Sequence, residues 1–140
     1  MKYIGYMLIF LSSIASAEEL YFCSDNQATG FKKKSNYYMP TTFNLQKFEL
    51  KIVDDDRIQI NSPSMDSSGL FSCIKPIRFT PKKLSYDVLK HWKSCTSSNG
   101  YLFNFNATNK RYVFAKGYGY VFSDNAGDAV AIRTGTCSKD

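Results

Sequence analysis

Residues 100–116 read GYLFNFNATNKRYVFAK, and this stretch decides the fold. Tyr101, Phe103 and Phe105 alternate with Leu102, Asn104 and Asn106, the period of two that marks a half-buried strand. Ala107 to Lys110 is a polar connection of hairpin length, and Tyr112 and Phe114 resume the alternation on the return strand. All of these aromatic rings can share one face of the hairpin, where each cross-strand aromatic pair contributes roughly 0.2–1 kcal/mol. Gly117 and Gly119 interrupt the Tyr118 to Phe122 continuation, as a bulge or a barrel corner does. After a turn at Ser123 to Asp128, Val130, Ile132 and Thr134 mark one side of a further strand, which completes a meander.

The rest of the chain repeats this grammar. Leu20 to Cys23 reads as a short apolar strand, with Ala28 to Phe31 continuing it beyond a polar bend at Ser24 to Gln27. Phe48 to Ile52 and Arg57 to Ile60 alternate across the acidic turn Asp54-Asp55-Asp56, giving a second hairpin with one buried and one wet face. The three aspartates lack the spread of ligands, the glycine and the distal glutamate of a calcium loop, so they read as turn residues. Asn61 to Gly69 is loop, Leu70 to Ile77 a strand, and Lys82 to Trp92 a short helix or irregular segment. The sum is an all-β domain of seven or eight antiparallel strands. A small barrel is expected, with a β-sandwich as the alternative.

At the start of the chain, Lys2, the apolar run Ile4 to Leu11 and Ala15-Ser16-Ala17 form the charged, apolar and small-residue parts of a signal peptide. The apolar run is far short of the ~20 residues of a membrane-spanning helix, and no later segment approaches that length. Residues 1–17 are therefore read as a signal peptide and 18–140 as a single disulfide-bonded β-domain, soluble and periplasmic or secreted after cleavage following Ala17. Removal leaves 123 of the 140 residues, and without Lys2 the 18 basic side chains become 17 against 12 acids, a net charge of +5. All four cysteines, Cys23, Cys73, Cys95 and Cys137, lie in this exported part, which calls for two disulfides. No C-x-x-C pair suggests zinc or redox chemistry. Pairing Cys23 with Cys137 and Cys73 with Cys95 is favoured, because closed sheets often bring first and last strands together.

Chemistry is sparse. Cysteine nucleophiles are excluded if all are oxidised, and the single histidine, His91, has no motif around it. Glu49, His91 and Arg111 are the components a basic hydrolase would need, without supporting spacing. No cofactor or metal is expected. Binding is the better expectation, and the candidate ligand residues are Lys32, Lys33, Lys34, Tyr37 and Tyr38 in a loop, with Tyr118 and Tyr120 at the glycine corner. Tyrosine beside lysine both stacks on flat groups and contacts anions.

Asn106-Ala107-Thr108 is an N-glycosylation sequon, relevant only in a eukaryotic secretory pathway, whereas the chain has a bacterial look. The start Tyr21-Phe22-Cys23 and the close Gly135-Thr136-Cys137 resemble small exported bacterial β-proteins. Tyr21-x-Cys23 and Ser68-Gly69 are also similar to the small-barrel periplasmic inhibitors of c-type lysozyme, over these few positions only; the second, lysine-bearing motif of that family is absent.

The function expected is that of a monomeric, non-catalytic binding protein for a small hydrophobic ligand held in the barrel, or an envelope component. A basic surface module for anionic polysaccharide, lipid or nucleic acid is the alternative, with nucleic acid the weakest of these. A periplasmic inhibitor or a secreted hydrolase comes last. N-terminal sequencing of the exported protein should begin Glu18-Glu19-Leu20; a sequence beginning at Met1 would contradict the signal-peptide reading.

Overall fold

Among the described residues, nine strands in one antiparallel sheet account for the alternation. The computed structural model describes residues 18–63, 68–74, 91–117, 120–121 and 128–139. The strands are β1 (Glu19–Lys34), β2 (Tyr37–Thr42), β3 (Lys47–Ile52), β4 (Arg57–Asn61), β5 (Gly69–Ile74), β6 (Trp92–Ser97), β7 (Tyr101–Asn106), β8 (Arg111–Lys116) and β9 (Ala129–Lys139). From β3 to β9 each strand pairs with the next, and β9 returns to pair with β1, which pairs with β3. Eight strands thus close a barrel, and β2 is an additional strand attached to β1.

The barrel interior is what the alternating aromatics demand. Tyr101, Phe103, Phe105, Tyr112 and Phe114 are all buried and face Leu50, Ile58, Ile60 and Phe71 from the other wall. Phe103 stacks on Tyr112 with centroids 5.6 Å apart and meets Phe114 edge-on at 5.7 Å. Phe48 sits edge-on to Tyr112 at 5.1 Å. Each fully buried ring of this kind stabilises the fold by about 1.5–3 kcal/mol relative to exposure. Outside, the strands carry mostly polar residues, such as Lys47, Glu49, Arg57, Asn104, Thr134 and Thr136, the reverse of the apolar outer band of a membrane-spanning barrel. No helix among the described residues is long and apolar enough to cross a membrane.

Both expected disulfides are present. Cys23 and Cys137 are direct partners where β1 meets β9, so this bond staples the closure of the barrel across 114 residues of chain. Cys73 and Cys95 are partners on β5 and β6. In the chain-entropy model such loops contribute about 3–5 kcal/mol.

Several expectations are corrected. The polar bend expected at Ser24 to Gln27 is a β-bulge, and the strand that begins before it is longer than expected, 16 residues, with the register against β9 shifting between Asp25 and Gln27. Residues 32–40, read as loop, form a hairpin: Lys34 pairs with Tyr37 across Ser35-Asn36, and Ser35 takes φ 56°. Pro40 is tolerated because β2 is an edge strand. Trp92 opens β6 rather than closing a helix. Residues 82–90 of that expected segment, residues 75–77 of the strand expected to end at Ile77, and most of the glycine corner lie outside the described residues.

On β9 the branched side chains Val130, Ile132 and Thr134 turn away from the core, and Ala129, Ala131, Gly135 and Cys137 are buried. The small inner residues allow close approach. At Gly135 an added Cβ would overlap the Ser24 carbonyl and the Tyr112 phenol, whereas Gly117 has open space around it. Gly135→Ala should therefore lower stability by about 1–3 kcal/mol. Gly117→Ala should leave the urea midpoint essentially unchanged, and equal midpoints for the two variants would refute this account of the close approach.

Candidate functional site

Residues of β1 after the bulge reverse their facing, and this sets the geometry of the projecting hairpin. Before it, Tyr21, Cys23 and Asp25 face inward; after it, Ala28 is the buried position. Beyond residue 28, β1 is flanked by β2 and by the start of β9. Cross-strand partners share a face, so Lys32 lies with Met39, Lys34 with Tyr37, and Lys33 with Tyr38 on the opposite face. The expected lysine–tyrosine set is thus divided. Lys32, Lys34 and Tyr37 occupy one side, exposed, and neither Lys32 nor Lys34 enters an ion pair among the described residues. On the other side Tyr38 meets Tyr120 edge-on, with centroids 5.0 Å apart. The Lys33 amide donates to the Asp128 carbonyl at 2.9 Å, which ties the hairpin to the approach to β9. Tyr118 lies outside the described residues.

At the bulge itself sits a polar cluster that sequence reading missed. Along β1's partner side, β2 and β3 behave as one return strand interrupted at Phe43 to Gln46. Asp25 fills the interruption: its carboxylate accepts from the Gln46 amide at 2.9 Å, and its own amide donates to the Gln46 carbonyl. The same carboxylate accepts from the Tyr112 phenol at 2.7 Å and from Arg133 Nη1 at 2.6 Å. Arg133 Nη1 also donates to the Asn44 carbonyl at 2.9 Å. The Asp25 side chain is 0% exposed and that of Arg133 15%. Burial, then the bond to Asp25, pushes the Tyr112 phenol far above its ordinary range. The cluster is a buried, satisfied ion pair with a phenol attached, which is structural chemistry. The signal was present, since Tyr21, Cys23 and Asp25 keep a period of two.

A second cluster closes the opposite end of β1. The Tyr21 phenol donates to Glu19 Oε2 at 2.7 Å, and Lys139 Nζ lies 3.3 Å from that carboxylate. The bond from Tyr21 holds the Glu19 carboxyl below its usual value, and burial with the bond to Glu19 pushes Tyr21 up to about 12.

The catalytic candidates are not assembled. Glu49 is on β3 and Arg111 on β8, three strand spacings apart through β9 and β1, or roughly 14 Å. His91 is exposed, and its carbonyl accepts from the Ala107 amide. Asp54, among the triple aspartate, bonds Arg57 Nη2 at 2.6 Å and the Asp56 amide at 3.0 Å, as a turn residue.

Three grooves among the described residues lie on the outer surface. One, of about 820 Å³, lies across β1, β3 and β4, with Phe22, Phe48 and Pro63 among its lining. Another, of about 580 Å³, crosses β7, β8 and β9. A smaller one of about 370 Å³ is bounded by Lys32 to Lys34 and Met39 to Thr41. Comparison of the chain with protein-family models, with curated proteins and with solved structures finds no match.

The tyrosine assignments have a pH signature. The folded protein keeps the Tyr21 proton after the unfolded chain has released its own, so stability falls as pH rises from 10.0 to about 12. Urea titrations across that window should show Tyr21→Phe losing less stability than the wild type. An identical slope in the two proteins would contradict the assignment.

Proposed function

We propose that this is an exported, non-catalytic binding protein that engages an anionic polysaccharide through the β1–β2 hairpin on its outer surface. The observation that carries the reading is the pairing of Lys32 and Lys34 with Met39 and Tyr37 on one exposed face, without carboxylate partners among the described residues. A ladder of two ammonium groups beside an aromatic and a thioether suits a polymer that presents repeated negative charge on a partly apolar ring scaffold. The buried aromatic packing supports the same choice. Phe71, Phe103 and Phe105 at the centre are at most 1% exposed, and Phe103 packs against both of the others, occupying the volume that an apolar ligand would need. Export by cleavage after Ala17 is part of this reading, and the two disulfides, which form in oxidising compartments, support it.

Heparin serves as the probe polyanion. Retention on immobilised heparin should drop steeply between about 0.05 and about 0.3 M salt. The Lys32→Glu/Lys34→Glu double variant should lose retention at low salt while unfolding at the wild-type temperature. Wild-type retention by the double variant would overturn the proposal.

A further inference from the structure

The groove across β7, β8 and β9 has a composition unlike the rest of the surface. It is lined by Trp92, Asn104, Asn106, Arg111, Thr134 and Thr136 among others, and no aspartate or glutamate among the described residues lines it. Strand register places these residues in two rows. Trp92, Asn106, Arg111 and Thr136 are successive partners across β6 to β9, and Asn104, Val113 and Thr134 form the adjacent row. Partners of this kind have Cβ atoms about 4.5–5.5 Å apart, so a row of four spreads its polar groups over a length that a sugar chain spans and a single small ion does not.

The polar groups are also held ready. The Asn106 carboxamide oxygen accepts from the amides of Thr108 at 2.9 Å and Asn109 at 3.4 Å, which fixes the amide plane and leaves its NH2 to donate elsewhere. Asn109 in turn accepts from the Arg111 amide at 3.0 Å, anchoring the strand start from which that guanidinium projects. Arg111 is exposed and enters no ion pair among the described residues.

We infer that this groove is a saccharide site and that its ligand carries a carboxylate. Carboxamides and threonine hydroxyls both donate and accept, as vicinal sugar hydroxyls require. The single indole offers a face to the C–H side of a pyranose, and Arg111 offers the planar fork that takes a carboxylate through two parallel bonds. The absence of acids from the lining leaves that guanidinium available to the ligand. The inference deepens the polysaccharide reading by naming an acidic sugar, a uronate, as the repeating unit, and it rests on a different part of the surface. Arg111 pairs with Thr136 and Lys32 with Ala129, seven residues apart along β9, roughly 23 Å, so a disaccharide in the groove does not reach the hairpin.

Trp92 is the chain's one tryptophan, so its emission reports on the groove directly. Digalacturonate should shift or quench that emission saturably, and galactobiose, its neutral counterpart, about tenfold more weakly. Arg111→Ala should bring the two disaccharides to equal affinity while binding galactobiose as before, and Asn104→Ala should weaken both. Lys32→Glu/Lys34→Glu should leave the Trp92 response to digalacturonate as in the wild type, because that emission reads the groove and not the hairpin, so that failure of the hairpin reading and failure of this one are told apart. No response to digalacturonate, an Arg111→Ala protein that still prefers the acidic sugar, or equal responses to digalacturonate and inorganic sulfate would each overturn the inference. Circular dichroism of each variant confirms that the fold is kept; if Arg111→Ala does not fold, Arg111→Lys, which keeps the charge but not the fork, should reduce the acidic preference instead.

Discussion

A single buried carboxylate sets the terms of this structure. Asp25 lies where β1 changes partner from β3 to β2, where the ladder is interrupted and backbone groups would otherwise lose their partners. It receives bonds from Gln46, Tyr112 and Arg133, which belong to three other parts of the chain. Tyr112 reaches it only because Gly135, the residue opposite Asp25 on β9, has no side chain in the way. A buried charge that loses one partner costs the fold about 3–5 kcal/mol, so bulge, glycine, phenol and guanidinium form a mutually dependent set. The Cys23–Cys137 bond lies two residues away along both strands and holds the same seam.

The consequence for function follows from facing. With the bulge in place, β1 continues past the barrel and carries its lysines outward on a three-stranded extension of β2, β1 and β9. The barrel itself is packed with aromatic rings. The seam therefore joins a stable, filled core to an exposed basic hairpin, with the amide-rich groove of β7 to β9 on the outer wall. The proposed recognition accordingly uses the outer surface, where strand register and not a cavity spaces the candidate contacting groups.

Much of this was legible in the residues. The alternation of Tyr101, Phe103 and Phe105 against Tyr112 and Phe114 specified both the hairpin and its buried face, because a one-residue slip would expose every ring. The terminal position of Cys23 and Cys137 pointed to the closing pair. Less legible were features that depend on partners distant in sequence. Lys32 to Lys34 and Met39-Pro40 have loop composition, and only the edge position of β2 makes them strand. Asp25 looked like part of a polar bend because nothing local reveals Arg133, 108 residues away. The groove was invisible for the same reason: Trp92, Asn104, Arg111 and Thr136 are ordinary residues one by one, and register brings them into one groove.

The most direct test of the central claim, that the interior is filled and recognition is external, is native mass spectrometry of the protein purified from the cells that make it. The account predicts the mass of residues 18–140 with both disulfides and no adduct that survives high salt. A discrete apolar adduct retained at high salt would place a ligand inside the barrel and contradict it.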